Sequence, residues 1–226
     1  MGTNANRGGG FLHAVRRRAE GLFGVYRGLP KPLYTLFLVT VVNSVGIFVF
    51  PFMTLYLTGR LNMSQSEAGR FMFIISMVYI PAGFIGGKLA DRLGRKKIMV
   101  VAQIISGALY IPCGFAALAE YVPVLILASV FFDGITDPAR SAMMTDLTTP
   151  ENRRTAFSLT YLGHNLGFAV GSLIAGFLFE HSTSWLFWGN GIAIFAAIYI
   201  VALKVPETKP TQQQIDATIG SGSTEE

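Results

Sequence analysis

The sequence has very little cysteine and few charged side chains. Cys113 is the single cysteine among 226 residues, which leaves no internal disulfide and no site built from several cysteines. It lies inside an apolar run, where a small buried hydrophobic residue is the ordinary interpretation. Charged residues make up 14% of the chain, against about 25% in ordinary soluble domains. This shortage of charge argues against a soluble globular protein.

Catalytic and nucleotide-binding motifs are also missing. The sequence contains no Walker phosphate loop, no zinc motif and no Ser-His-Asp arrangement. We therefore predict no enzyme activity, no catalytic residue, no metal and no cofactor. The net charge is +5, but the basic residues occupy short segments between apolar runs. That pattern suits membrane topology better than nucleic-acid binding.

Long apolar runs are what the sequence has in abundance. A helix that crosses the bilayer needs about 20 mostly apolar residues. Six segments have that length, numbered spans 1 to 6, and they cover residues 33–57, 66–89, 98–119, 121–146, 155–179 and 184–204. The fold class is therefore an all-α membrane protein with six transmembrane helices. Ser64 and Glu67 predict a capping box at the start of span 2.

Lysine and arginine are shared unevenly between the two ends of these spans. One end carries the basic N-terminal segment 1–32, the loops after spans 2 and 4, and the polar tail 205–226. The loop at the other end has Arg60, with Arg70 close to it in span 2. Because basic loops stay in the cytoplasm, residues 33–204 are predicted to form a multi-pass domain of the cell (inner) membrane with both termini cytoplasmic. The N-terminal segment is interpreted as retained, not as a signal peptide, and the tail as a flexible linker.

The loop between spans 2 and 3 combines glycines with a cluster of charge. It reads GGKLADRLGRKK from Gly86 to Lys97. A simple cytoplasmic loop would explain the cations, which can also reach anionic lipid headgroups. It would not explain the aspartate or the glycines. Small residues let membrane helices approach closely, and a carboxylate here can accept helix N-terminal amides or pair with a cation.

Two stretches resemble the major facilitator superfamily of transporters. GKLADRLGRK, from Gly87 to Lys96, is similar to the family's signature between its second and third helices, G-x-L-a-D-r-x-G-r-k. DGITDPARSAMMTDLTTPENRRTAF, from Asp133 to Phe157, resembles the end of the fourth helix and the following loop of the family's drug and sugar porters. The resemblance covers residues 33–204 and implies one half of the family fold, a 3+3 inverted repeat.

The resemblance also implies roles for particular residues. It implies that Arg95 pairs with Asp146 and so holds the cytoplasmic ends of spans 2 and 4 together in the outward-open state. The implied conformational-switch motif comprises Gly87, Asp91, Arg92, Gly94, Arg95, Lys96 and Asp146. The drug-efflux, proton-coupled branch is the nearest in pattern. Span 5, however, lacks the Gly-Pro pair usual in antiporters, and span 4 lacks an arginine before Gly134.

Ionisable side chains within a span are costly and usually face a cavity or a partner. Span 4 carries Asp133, Asp137 and Arg140 at spacings of four and three, so the three share one face. Asp133 lies ~18 Å along the helix from its outer end, near the midplane, at 1.5 Å per residue. A carboxyl group there can load and release a proton, which is the expected coupling ion. A static Asp137–Arg140 ion pair is the alternative interpretation.

Spans 1 and 5 add four polar candidates for a proton or substrate cavity: Asn43, Tyr161, His164 and Asn165. Helix-to-helix hydrogen bonding is an equal alternative for the asparagines, and a satisfied core histidine is one for His164. The four-residue spacing of glycines in span 5 predicts a close packing seam at Gly163, Gly167 and Gly171. Helix kinks are predicted at Pro51, Pro81, Pro112 and Pro138.

Six spans supply only half of the usual twelve. The resemblance therefore implies that a second six-helix half, or a second copy of this chain, completes the cavity in the lipid bilayer. One hypothesis is a secondary transporter, or the N-terminal half of one, moving a small organic solute or drug; a sugar or other metabolite is the alternative substrate. The other hypothesis is a truncated, non-transporting membrane module that binds a partner half or lipid.

Overall fold

The structure is a computed structural model, and it describes Gly24 and residues 26–209. The regular elements in this part of the chain are all helical. Six of the helical segments are long and apolar enough to cross a membrane, which confirms the predicted number of spans. Most of the predicted N-terminal segment and of the predicted tail lies outside the described residues.

The spans differ from their predicted bounds mainly at their ends. Span 1 consists of two helices, α1 (Lys31–Val45) and α2 (Val49–Gly59). The remaining spans are, in chain order, Gln65–Leu93, Arg95–Cys113, Val122–Asp146, Pro150–His181 and Thr183–Lys204. The predicted span 3 ran on to residue 119, but a 3₁₀ helix (Ala116–Tyr121) follows it and leads into span 4.

Span 3 ends early because a side chain from span 6 meets its last turn. The indole N–H of Trp188 donates to the carbonyl oxygen of Ile111 at 3.1 Å. It thereby satisfies one of the acceptors that every helix end leaves open. The same indole fills the space that a Cβ on Gly114 would need. The chain therefore leaves the helix at Gly114.

The start of span 2 is the predicted capping box. The Ser64 hydroxyl accepts the Glu67 backbone N–H at 3.2 Å, and the Ser64 backbone N–H donates to Glu67 Oε2 at 2.8 Å. Span 5 begins with a similar arrangement, in which the Thr149 backbone N–H donates to Asn152 Oδ1 at 2.9 Å. Both boxes satisfy orphan donors in a first helical turn and fix where the helix begins.

Span 1 is interrupted, but not at the predicted proline. The break covers residues 46–48, between α1 and α2. Gly46 ends α1, and a Cβ there would collide with the Ala193 side chain of span 6. Pro51 lies in the first turn of α2, where a missing backbone N–H costs nothing. The other three prolines lie inside helices that continue through them.

The main packing contacts connect the six spans in the order 5-1-6-3-4-2. Spans 5 and 2 are therefore the two ends of an open arc. Each has a wide face that no other described span covers, with Phe84 74% exposed in span 2 and Leu173 79% exposed in span 5. Two apolar core clusters fill the arc, one around Met99, Met143 and Val201 and the other towards the opposite end of the bundle.

We call the end of the bundle that carries the loop between spans 2 and 3 the junction end. Consecutive spans run in opposite directions, so the start of span 1 and the end of span 6 are also there. In spans 1, 3 and 4, the residues between the two core clusters include polar ones: Thr40, Asn43, Ser44, Gln103, Ser106 and Asp133. These positions place polar groups near the middle of the bundle.

Candidate functional site: a polar cavity and the junction end

A cavity of about 720 Å³ opens between the spans, and all six spans contribute to its walls. Five of the seven residues predicted to line a cavity do so: Asn43, Asp133, Asp137, Arg140 and His164. Apolar side chains such as Phe50, Ile80 and Phe168 form much of the remaining wall. A mostly apolar cavity with a few charged groups is typical of sites that bind small organic molecules.

Asp133 is held from the side of span 3. Its Oδ1 accepts a hydrogen bond from the Ser106 hydroxyl at 2.7 Å and one from the Gln103 side-chain amide at 3.1 Å. Ser106 and Gln103 are both buried, with exposed fractions of 0% and 4%. The carboxyl group is therefore oriented by neutral donors, without a basic side chain bonded to it among the described residues.

Asp137 lies one turn further along span 4 and has different neighbours. Arg140 Nη1 is 3.3 Å from Asp137 Oδ1, and the Tyr79 hydroxyl of span 2 donates to Asp137 Oδ2. The Asp137 side chain is 49% exposed, whereas that of Arg140 is 21% exposed. The predicted Asp137–Arg140 pair is thus present, and it faces the cavity together with Tyr79.

His164 connects span 5 to span 1 at the cavity wall. Its Nδ1 is 3.0 Å from the Ser44 hydroxyl, and its ring stacks on Phe168. The adjacent seam is tight, because a Cβ on Gly167 would be 2.6 Å from Ser44 Cβ and 2.7 Å from the Val41 carbonyl oxygen. A Cβ on Gly163 would likewise collide with the Phe37 ring, and one on Gly171 with the Val45 carbonyl oxygen, both in span 1. The glycine stripe therefore determines how close span 5 lies to span 1.

Tyr161 and Asn165 were predicted to line the cavity, and the structure places them elsewhere. Tyr161 is 71% exposed, and the Asn165 amide donates to the Tyr161 carbonyl oxygen at 2.8 Å. Residues four apart share a helix face. With the glycines packed against span 1, His164 points to the cavity, whereas positions 161 and 165 lie on the uncovered face.

At the junction end, Arg95 forms an ion pair with Asp146, the last helical residue of span 4. Arg95 Nη1 also donates to the Ala142 carbonyl oxygen at 3.3 Å. Both side chains of the pair are largely shielded, with exposed fractions of 14% and 22%. The two residues for which the resemblance implied a contact are thus paired, but they join span 4 to the start of span 3 and not to span 2, because Arg95 is the first helical residue after Gly94.

The other switch-motif residues differ in how closely they are packed. Gly94 has φ +106°, a conformation that favours glycine. Gly86, not Gly87, is the point of closest approach to span 4: a Cβ on Gly86 would collide with the Ile135 backbone, whereas one on Gly87 would have only Pro138 at 4.0 Å. Asp91 and Arg92 are exposed, and Lys96 is partly buried.

Residues 205–209 are held against this junction. Glu207 accepts backbone N–H groups from both its own segment and the start of span 3, and Val205 is 2% exposed within the junction-end core. These five residues differ from the predicted flexible tail in having fixed contacts: Val205 is buried, and Glu207 and Lys209 are hydrogen-bonded although exposed. The rest of that tail lies outside the described residues.

Sequence reasoning missed several residues of the cavity. They are Ser76 and Tyr79 from span 2, Gln103, Ser106 and Tyr110 from span 3, and Asn190 from span 6. The signal that could have found them is simple: each is a polar side chain within an apolar span. Neutral groups received less weight than the charged ones. Among the described residues, no group of three or more His, Cys, Asp or Glu is placed to hold a metal ion.

Comparison with known proteins gives the family. The family model of the Major Facilitator Superfamily matches residues 36–223, and the chain therefore belongs to that superfamily of transporters. It is accordingly a multi-pass membrane protein whose six spans correspond to one half of the family fold.

Two curated relatives illustrate the similarity. The uncharacterized MFS-type transporter YhjO of Bacillus subtilis (strain 168) is 30% identical over 183 residues, covering 79% of this chain and 45% of that protein. The multidrug resistance protein MdtH of Photorhabdus laumondii is 31% identical over 159 residues, covering 68% of this chain and 39% of that protein. The chain spans about half the length of the curated relatives it matches, 45% of YhjO for example.

Solved structures show the same fold. The peptide transporter POT in complex with sulfate superposes with a TM-score of 0.69 at 21% identity, covering 88% of this chain and 45% of that one. A bacterial homolog of the human lysosomal transporter Spinster, in an inward-facing and occupied conformation, has a TM-score of 0.63 at 17% identity. It covers 80% of this chain and 44% of that one. At these identities the likeness concerns the fold alone.

Proposed function

We propose that this chain is the N-terminal six-helix half of a secondary transporter that moves a small organic solute or drug by alternating access, coupled to protons. It lies in the cell membrane with the junction end in the cytoplasm, because basic loops are retained there. Efflux by proton antiport is the mode we favour, and the similarity to multidrug resistance proteins supports it. A sugar or other metabolite is the alternative cargo.

The observation that carries this proposal is the placement of Asp133. A carboxyl group within a membrane span is costly, and such groups usually mark ion or substrate pathways. Asp133 lines the cavity while neutral donors from span 3 hold one of its oxygens. A neutral hydrogen-bond shell suits a group that alternates between protonated and charged forms, because no fixed cation holds it ionised. Asp133 is therefore the proposed proton carrier.

The Asp137–Arg140 pair provides the second part of the mechanism. It faces the cavity and is partly exposed, so polar groups of a solute can reach it. Tyr79 bonds the same carboxylate from span 2, so a solute that displaces this bond also changes the contact between spans 2 and 4. In this scheme Asp133 handles the proton and the Tyr79–Asp137–Arg140 group orients the solute.

The Arg95–Asp146 pair is the proposed lock at the cytoplasmic end. It joins spans 3 and 4 when that end is closed, and its separation accompanies opening to the cytoplasm. The signature loop thus acts as the conformational switch. The uncovered faces of spans 2 and 5 are where a second six-helix half, or a second copy of the chain, completes the cavity.

The test is transport by the chain in proteoliposomes under an imposed pH gradient, with the fluorescent cation ethidium as probe. We expect gradient-driven flux from the wild type, in which a second copy of the chain completes the cavity, and the rate of protein-free vesicles from Asp133→Asn, because the amide cannot release a proton. Glu120→Gln is the matched control, since Glu120 is an exposed acid in the 3₁₀ helix before span 4. Gradient-driven flux that persists in Asp133→Asn would contradict the proposed coupling.

A second candidate function is a membrane module that binds a partner half or lipid without transporting a solute. The uncovered apolar faces of spans 2 and 5 favour it, because they offer a surface to a partner half or to lipid. The same assay separates the two candidates. A folded wild-type chain that shows no flux in any gradient supports this second function.

A further inference from the structure

One carboxylate joins the segment after span 6 to the start of span 3. Glu207 Oε1 accepts the Arg95 backbone N–H at 2.9 Å and the Lys96 backbone N–H at 3.3 Å, while Oε2 accepts that of Lys97 at 3.4 Å. These are the first three amides of span 3, whose own N-cap residue, Gly94, has no side chain to bond them. Glu207 therefore caps this helix from a distant part of the chain.

Two lysines strengthen the same contact. Lys209 Nζ donates to the Arg92 carbonyl oxygen at 2.7 Å, and Lys96 Nζ donates to the Ala202 carbonyl oxygen at 2.7 Å. One bond thus runs from the tail to the end of span 2, and the other from the start of span 3 to the end of span 6. With Val205 buried in the core beside them, residues 205–209 are fixed at several points.

Gly94 makes the close approach of Glu207 possible. A Cβ at Gly94 would lie 2.6 Å from Glu207 Oε2, closer than real Cβ contacts allow. Two features of the fold therefore require glycine at position 94: the positive φ of this residue, and the Glu207 carboxylate that lies against it. The signature loop and the tail segment fit each other directly.

Arg95 is where this contact meets the junction-end ion pair. Its backbone N–H is bonded to Glu207, while its guanidinium group is bonded to Asp146 and to the Ala142 carbonyl oxygen. We propose that Glu207 is a positioning residue for the Arg95–Asp146 pair: it fixes the backbone of Arg95 and so determines where the guanidinium group reaches. The segment after span 6 then contributes to the closed cytoplasmic end together with spans 3 and 4, and we call it the third arm of the lock.

The contribution of this arm to transport rests on the proposed function, but its structural effect is measurable without flux. The chain is placed in lipid nanodiscs with Cys113→Ser, and spin labels are attached at Val101→Cys in span 3 and Ser141→Cys in span 4, both exposed positions. Electron-electron resonance gives the distance distribution between the labels. Hydrogen exchange reports separately on the amides of residues 95–97 in the unlabelled chain.

We expect Glu207→Ala to speed exchange of those amides by about tenfold or more, because each loses a bond to a charged acceptor. We also expect it to broaden the label distance distribution towards longer separations, as Asp146→Asn does. Glu207→Gln, which keeps an acceptor oxygen without the charge, should have an intermediate effect and serves if the alanine variant does not fold. Glu180→Gln, an exposed glutamate at the far end of span 5, is the control and should change neither reading.

Combining Glu207→Ala with Asp146→Asn tests whether Glu207 acts through Arg95. We expect the double variant to show the same distance distribution as Asp146→Asn alone. Faster exchange with an unchanged distance distribution would overturn the proposal, because Glu207 would then be only a helix cap. A larger separation in the double variant than in Asp146→Asn would also overturn it, because Glu207 would act by a separate route.

Discussion

Asp133 and Asp137 lie one helical turn apart in span 4, yet their neighbours differ in kind. Asp133 is bonded by the Ser106 hydroxyl and the Gln103 amide, whereas Asp137 is bonded by the Arg140 guanidinium group and by Tyr79. The charged pair has a fixed counterion, and the isolated carboxyl group has none bonded to it among the described residues. The proposed division between solute orientation at Asp137 and proton loading at Asp133 follows from this difference.

Glu207 gives a residue-scale prediction of pH dependence. Burial would raise the pKa of Glu207, but the backbone N–H groups of Lys209, Lys96, Arg95 and Thr208 outweigh it and hold the pKa below its usual range. A lowered carboxyl pKa means that the cap is fully present above the ordinary value and is lost as pH falls through the lowered one. The charged groups around it are Arg92, Arg95, Lys96, Lys97, Lys204, Lys209 and Asp146.

We therefore expect the protection of the amides of residues 95–97, corrected for intrinsic exchange, to stay constant from neutral pH to about pH 5 and to fall below about pH 4, the ordinary range of carboxyl groups. In Glu207→Gln the protection should be lower and independent of pH over that range. The contribution of the nearby Asp146 is tested by repeating the titration in Asp146→Asn. A wild-type profile that stays flat down to pH 3 would contradict the predicted role of the Glu207 charge.

At the scale of single elements, the seam between spans 5 and 1 depends on glycine. A Cβ at Gly167 would be 2.7 Å from the Val41 carbonyl oxygen, and backbone atoms cannot move aside without shifting the helix. At Gly176, in the same span, a Cβ would meet only Phe52 at an ordinary 3.5 Å. The two glycines form a matched pair in which only the first allows a close approach.

Gly167→Ala should therefore destabilise the chain by about 1–3 kcal/mol, the usual cost of overpacking. Gly176→Ala should be neutral or stabilising by up to about 1 kcal/mol, because alanine favours the helix. Reversible unfolding in mixed micelles measures both free energies. Equal effects of the two substitutions would show that the seam is not tightly packed.

The elements also show how much the sequence can predict. The six spans, the capping box at Ser64 and the close packing of Gly163, Gly167 and Gly171 follow from local composition and spacing. The break in span 1 does not, because it depends on Gly46 meeting Ala193 of span 6. The position of Tyr161 on the uncovered face of span 5 was likewise not predictable, since a helical face can be assigned only when its neighbours are known.

The role of Glu207 could not be predicted either, because it too depends on neighbours that only the fold provides. In sequence it follows a proline in a polar tail, 112 residues from Arg95, whose backbone it binds. Charged residues within spans were visible because the membrane makes them exceptional. A glutamate outside the membrane carries no such signal, and only the fold brings it to the start of span 3.

At the scale of the whole molecule, the open arc and the half-length match to the relatives have the same consequence. Spans 2 and 5 are the ends of the arc, and each has a face that no other described span covers. The chain covers 45% of YhjO and 39% of MdtH. A complete carrier on this plan brings a second set of six helices against those faces.

The central claim of the proposed function is that Asp133 carries the proton whose release is coupled to binding of the solute. The most direct test is the number of protons released when tetraphenylphosphonium is added to the nanodisc-embedded chain in weakly buffered solution at near-neutral pH, wild type against Asp133→Asn. We predict proton release on cation binding in the wild type, at most one proton per bound cation, and none in the variant. Equal proton release by the two proteins, at equal occupancy, would contradict the assignment of the coupling group to Asp133.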